Sequence, residues 1–338
     1  MIFVKRLRAG MSVAIRMDRL RAVFASKRGR NMDKPFKTID EQIELLNSRG
    51  LITDKRSRDI LSREGYYCVV NGYKDLFIDK NAKSAAGGDD RFYKGVTFDH
   101  VYRLFEFDRD LRLRMFRYFA RAEAVLKTAC SYCFTERHQT ECEPYLNKML
   151  YRREDRYRRD IDALIRNFEK ILTKDPSGTS ARRRSYIDHY LNNHDEVPLW
   201  VLANFTSLGM IFKFFTFQKE SMRNEIARYF STLYETTHGV KKRFNPEQLR
   251  LAYDHIKDFR NICAHDERLY CARVSPSKDV SLSNVIDDLS DIMQVDEMVE
   301  MRTEVSRLIL GVIRDTPSLI SESLLKTMGF SSVKALIE

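Results

Sequence analysis

TFDHVYRLFEFDRDLRLRMFRYFARAEAVLKTACSYC, residues 97–133, reads as one long helix. Val101, Leu104, Phe105, Leu111, Met115, Phe119, Ala122, Leu126, Ala129 and Cys133 recur at helical spacing and fall close to one face. Asp108, Arg112 and Glu123 are polar residues on or beside that face, so each needs a partner or a task. A stripe this long makes the helix the spine of the molecule and predicts an all-α fold.

Working outward, the rest of the chain agrees. Only 13 glycines and 7 prolines occur in 338 residues, too few for an all-β architecture with its frequent turns. Towards the N-terminus, Thr38-Ile-Asp-Glu41 has the spacing of a capping box, and its helix stops at Gly50. A second short helix spans about Asp54 to Glu64. Gly65-Tyr66-Tyr67 and Gly72-Tyr73 suit tight corners, and residues 79–95 form a polar loop. Towards the C-terminus, a charged helix is expected over 144–173 and a break at Asp175-Pro-Ser-Gly178. Pro198 opens a helix through Leu199, Trp200, Leu202 and Phe205. Asn245-Pro246-Glu247 opens another, carrying Leu249, Tyr253, Ile256, Phe259 and Cys263. Two more helices are expected at 296–314 and 317–327. This divides the chain into a basic extension (1–33), an N-terminal small helical region (34–95), a helical core (96–275) and C-terminal helices packing on that core (276–338).

The net charge is +11. Residues 1–33 hold nine Lys and Arg against Asp18 and Asp33, so most of the basic excess lies in the extension. That arm has an Arg-rich, acid-poor composition like a transit peptide's. It equally fits a start placed too far upstream, with Met32 as the alternative. The clusters Arg152–Arg159, Arg182, Arg183 and Arg184, and Lys241, Lys242 and Arg243 suit either phosphate contact or a solvated face. No run of 18 apolar residues predicts a membrane span. Six cysteines without a secretory h-region predict reduced thiols and a cytoplasmic protein.

Asp258-Phe-Arg-Asn-Ile-Cys-Ala-His265 is the segment with chemistry in it. At 3.6 residues per turn, Arg260 lies about 40° from the centre of the apolar stripe. Asn261 and His265 lie on the opposite side, one turn apart, with Asp258 a turn before them. The set suits phosphodiester cleavage. An imidazole can move a proton near neutral pH, arginine can hold the scissile phosphate and its growing charge, and asparagine can orient either. A histidine at a helix C-terminus and an arginine at a core edge are also common structural features. In that case Asp108 or Glu123 would be expected to pair with Arg260. One histidine is a thin acid–base set, which a symmetric dimer would double.

Further pieces accompany this segment in order: Arg49-Gly50, Gly65-Tyr66-Tyr67, Gly72-Tyr73, Phe107-Asp108 with Leu111-Arg112, and Glu123. Then come Pro198-Leu199-Trp200, Gly209, Arg260-Asn261 to Ala264-His265 with Arg268-Leu269, and Met328-Gly329-Phe330. Together they resemble the Abi-like family of bacterial abortive-infection proteins (AbiD/AbiF type), whose catalytic part is of the HEPN superfamily. The likeness runs from about Lys34 to Phe330. It implies a HEPN-type helical bundle with metal-independent endoribonuclease activity and no cofactor. It assigns catalysis to Arg260, Asn261 and His265, usually in a composite site between two protomers. It implies a phage-defence or toxin role in the bacterial cytoplasm, an RNA substrate, a homodimer and, in some members, a small-RNA antitoxin. Asp258, Asp108, Arg112 and Glu123 become supporting residues. Arg268, with the clusters at 182–184 and 241–243, becomes a candidate for RNA contact. HEPN toxins that are controlled by nucleotide addition carry a Tyr two residues after the His. Glu267 stands there, which argues against such control.

Other readings compete. Cys130, Cys133, His138 and Cys142 approach a zinc knuckle, but lack its spacing and glycines; Cys130 and Cys133 continue the helical stripe. The short helices at 39–64 could act as a DNA-reading helix-turn-helix, although acids interrupt their basic residues. A HEPN-like dimer that binds RNA or protein without cutting it is the main alternative to an enzyme. His100, His138, His189, His194, His238 and His255 show no sequence partners and are read as surface or packing residues.

Overall fold

The computed structural model describes residues 36–82, 90–173, 181–194, 196–275 and 277–337. Among these lie thirteen α-helices and only isolated β-bridges, so the fold is all-α. The basic extension 1–33, the breaker at 175–178 and the centre of the 79–95 loop fall outside the described residues. No helix among the described residues is long and apolar enough to cross a membrane.

Helices α1 (Ile39–Ser48) and α2 (Lys55–Glu64) open the chain, each with a capping box, from Thr38 and from Asp54. Arg58 pairs with Asp40 and Arg56 with Asp99, so two cations of the supposed recognition helix are spent inside the protein. A π-turn (Tyr67–Asn71) and a 3-10 turn (Lys74–Phe77) follow. The bridge Ile52 to Thr97 ties this region to the cap of the next element, and Ile78 to Phe92 joins the two ends of the intervening loop.

That element is the spine, α3 (Phe98–Arg137), 40 residues and about 60 Å long. Thr97 caps it: its hydroxyl accepts from the His100 N–H, and the His100 ring accepts from the Thr97 N–H. All ten apolar stripe residues named above are buried, Cys133 included. Helix α4 is Asp155–Leu172, shorter than the 144–173 expected. Two 3-10 turns occupy its start because Tyr145 and Tyr151 are buried there. Their hydroxyls donate to the carbonyls of Val197 (2.7 Å) and Tyr145 (2.5 Å), and that anchoring overrides helix propensity.

Next come α5 (Ala181–Asn193), α6 (Leu199–Leu202), α7 (Leu208–Phe217) and α8 (Glu220–His238). Then follow α9 (Pro246–Ala264), α10 (Leu282–Ser290), α11 (Val295–Arg314), α12 (Ser318–Met328) and α13 (Lys334–Ile337). Helices α7, α8, α9 and α11 all pack on α3. Arg114, Arg117 and Arg121 meet Glu304, Glu300 and Glu297 in turn, so α11 runs antiparallel to the spine. Each such exposed pair is worth about 0–1 kcal/mol, so the row sets register more than stability. Gly329 ends α12 at φ 90°, where a Cβ would lie 2.1 Å from the Ser281 hydroxyl; the C-terminal helices therefore close onto the start of α10 only with glycine there.

Candidate functional site

Helix α9 begins where Asn245 accepts hydrogen bonds from the N–H groups of Glu247 and Gln248, with Pro246 in the first turn. Leu249, Tyr253, Ile256 and Phe259 bury its apolar face, and the Tyr253 hydroxyl donates to the Ala122 carbonyl of α3 at 2.9 Å. The face opposite therefore points outward at its C-terminal end. Asn261 and His265 are exposed there, and His265 is the capping residue, its N–H donating to the Asn261 carbonyl at 3.0 Å. The imidazole makes no side-chain hydrogen bond among the described residues.

Arg260 is half-buried, lies over the Phe116 ring at 5.6 Å, and brings Nη1 to 3.5 Å from Asn261 Oδ1. That last contact is at the outer limit of a hydrogen bond. Neither Asp108 nor Glu123 pairs with Arg260, contrary to the structural pairing considered from sequence. Glu123 binds Lys127 one turn along α3 at 2.9 Å, and Asp108 is committed elsewhere. Asp258 accepts from Lys257 Nζ at 2.7 Å. The Cys263 thiol between Asn261 and His265 is pushed up to about 12 by burial, which excludes it as a nucleophile at neutral pH.

Asp108 and Arg112 serve the segment just after His265. The fully buried Asp108 carboxylate accepts from Arg112 Nη1 (2.6 Å), the Tyr73 hydroxyl (2.8 Å) and the N–H groups of Tyr270 (2.7 Å) and Leu269 (3.1 Å). Burial pushes its pKa up, against the pull of Arg112 and of the Tyr73, Tyr270 and Leu269 donors. Arg112 Nη2 reaches on to Asp266 at 2.6 Å. Asp266 occupies the left-handed position (φ 57°) beyond the α9 cap, and the Glu267 N–H closes back on the Ile262 carbonyl at 3.0 Å. Arg268 Nη1 donates to the Gly72 carbonyl at 2.7 Å. The helix thus stops at His265 because four of the next five residues, Asp266, Arg268, Leu269 and Tyr270, are clamped to α3 or to the corner at residue 72. Tyr73 and Asp266 are the members of this clamp that sequence reading missed. An Asp directly after a helix end, where αL geometry is common, is the signal that could have found the second.

Two open grooves flank the end of α9. One, of about 880 Å³, runs along α3 and includes Phe116, Glu123, Lys127, Tyr132, Trp200 and Arg260 in its lining. The other, of about 660 Å³, lies on the far side and includes Tyr67, Arg112, Asp266, Arg268, Arg273 and Lys278. Of the expected RNA contacts among the described residues, only Arg268 lines either groove. Lys241, Lys242 and Arg243 precede α9, at the end remote from His265; Lys242 is tied to Asp291 and Lys241 faces Glu235 at 3.7 Å. Helix α5 carries Arg182, Arg183 and Arg184, whose side chains fall outside the described residues.

The histidines set aside on sequence do find neighbours. His138 binds Glu141 (2.6 Å), His255 binds Asp288 (2.8 Å), and His238 stacks on Tyr234 (3.9 Å between rings). Cys130 and Cys133 are buried in the core, and no group of three or more His, Cys, Asp or Glu among the described residues is placed to hold a metal ion.

Comparison with known proteins agrees with the resemblance carried by the motifs. A family model described as Abi-like protein matches residues 59–271, a span from α2 through the whole Asp108 clamp. No curated protein and no solved structure matches the chain. With well over half of its length matched, the chain belongs to the Abi-like protein family.

Proposed function

We propose that this protein is a HEPN-type, metal-independent endoribonuclease acting in abortive infection, with Arg260, Asn261 and His265 as its catalytic set. The observation that carries the reading is the end of α9. A histidine free of side-chain hydrogen bonds sits on the exposed cap, with an asparagine one turn before it and an arginine without an acidic partner beside it.

In the proposed reaction the ribose 2′-oxygen bonds to phosphorus while the bond from phosphorus to the 5′-oxygen breaks. The proton lost from the 2′-hydroxyl passes to a base, and the leaving 5′-oxygen takes a proton from an acid. The products carry a 2′,3′-cyclic phosphate and a 5′-hydroxyl. Arg260 balances the charge on the phosphoryl oxygens, and Asn261 orients phosphate or imidazole. Five residues along a helix place Arg260 and His265 about 140° apart around its axis. A single chain also supplies only one of these imidazoles. Both facts favour a site shared by two copies, and we assign the groove beside Arg260 as the face that meets the partner copy.

The test is incubation of purified protein with labelled RNA in EDTA, beside Arg260→Ala and His265→Ala. Cleavage with cyclic phosphate ends in the wild type, falling by about 10² or more in each variant, is expected. Equal RNA binding by all three, with no cleavage by any, replaces this reading with that of a binding module.

A further inference from the structure

We infer that the groove on the far side of α9 is a binding site for single-stranded RNA: Tyr67 stacks on a base, and Arg273 and Lys278 hold the flanking phosphates. This rests on the ribonuclease reading for its place next to the scissile bond, but the groove's own residues carry it.

Position comes first. Asp266, Glu267 and Arg268 form part of the groove's wall and follow His265 directly, so its mouth opens within about 11 Å of chain from the imidazole.

Chemistry comes second. Tyr67 is 79% exposed and makes no ring contact among the described residues, whereas Tyr73, six residues on, is buried and stacks on Tyr270. The π-turn thus turns one tyrosine into the core and leaves the other as an open platform. Arg112, Arg268, Arg273 and Lys278 line the groove against Asp266 and Glu267, which leaves it positive. Arg112 and Arg268 are engaged in the clamp, but Arg273 donates only to the Ala272 carbonyl, and Lys278 has no acidic partner among the described residues. The groove therefore pairs an aromatic face with two cations unspent on acids, the combination by which single strands are held without base-specific reading. A duplex would keep its bases stacked on each other and could not use Tyr67.

The test uses full-length His265→Ala, which does not consume the probe, and a fluorescently labelled single-stranded RNA of mixed sequence read by anisotropy. Adding Tyr67→Ala is expected to weaken binding about ten-fold or more, while Tyr67→Phe keeps the affinity. Replacing Arg273 and Lys278 by Gln is expected to flatten the dependence of log Kd on log salt by about 0.7 per cation. Lys213→Gln, on α7, serves as the control and leaves both unchanged. Undiminished binding by Tyr67→Ala, an equal loss in Lys213→Gln, equally Tyr67-dependent binding of the matching duplex, or no RNA binding at all overturns the inference. Cleavage by the wild type is scored separately. A protein that cuts RNA but binds it independently of Tyr67 sinks this site alone; one that binds through Tyr67 but never cuts sinks only the nuclease reading.

Discussion

In the proposed reaction Arg260 and His265 face different demands from the same phosphodiester, and substitutions separate them. A guanidinium offers a planar fork to two phosphoryl oxygens, which an ammonium cannot copy. Arg260→Lys is therefore expected to keep RNA binding while cleavage falls at least about ten-fold, a split visible when single-turnover rate and Kd are measured on one substrate. His265→Ala removes proton transfer and is expected to cost about 10²–10⁴ in that rate with little change in Kd. Asp108 makes a different prediction because it is fully buried and supports several donors. Asp108→Ala strands Arg112 and two backbone N–H groups without their acceptor. It is expected to lower unfolding free energy by about 3–5 kcal/mol, read from urea denaturation. A loss under about 1 kcal/mol would show that the clamp is not a structural node.

Helix α9 was the most legible element in the sequence, since Asn245-Pro246 starts it and a clean apolar stripe sets its buried face. The same rule failed at α7, where Leu208, Ile211, Phe212, Phe214, Phe215 and Phe217 are all buried and no polar face marks the period. It also failed at 144–150, where buried tyrosine hydroxyls impose 3-10 turns on a helix-forming composition. The motif itself was legible; its surroundings were not. Besides Arg112 one turn along, the partners of Asp108 lie 35 residues before it and 161 and 162 after, and no local pattern announces those distant contacts. His255 is a similar case, joining α9 to Asp288 of α10. The Asp288 carboxylate that accepts its hydrogen bond holds the half-buried His255 above the ordinary value of 6.5. The folded state thus keeps a proton that the unfolded chain releases. The pair's contribution is full below pH 6.5 and is lost as pH rises through the raised value. Melting curves from about pH 5.5 to pH 8 are expected to show a fall in Tm that is smaller in His255→Gln. Parallel curves for the two proteins would remove this pair as its source.

The molecule taken whole presents one proposed catalytic histidine at the end of one helix, on a spine that has an open groove on the Arg260 side. If two copies share each site across a two-fold axis, Arg260 of one acts with His265 of the other, and a symmetric dimer holds two such sites. Arg260→Ala and His265→Ala are then each inactive as homodimers. In a mixed dimer one site carries both defects, but the other joins the intact Arg260 of one protomer to the intact His265 of its partner. Mixing the two inactive proteins in equal amounts, with time for subunits to exchange, is expected to restore about a quarter of wild-type cleavage, because half the dimers are mixed and each has one working site. Sites complete within one chain predict no recovery from the same mixture, since every Arg260–His265 pair would then be broken. Trp200, half exposed in the groove assigned to the partner copy, supplies the control at the interface. Trp200→Glu placed in both proteins is expected to abolish the recovery and to shift the species towards monomer by light scattering, whereas recovery that survives it would move the shared face away from this groove.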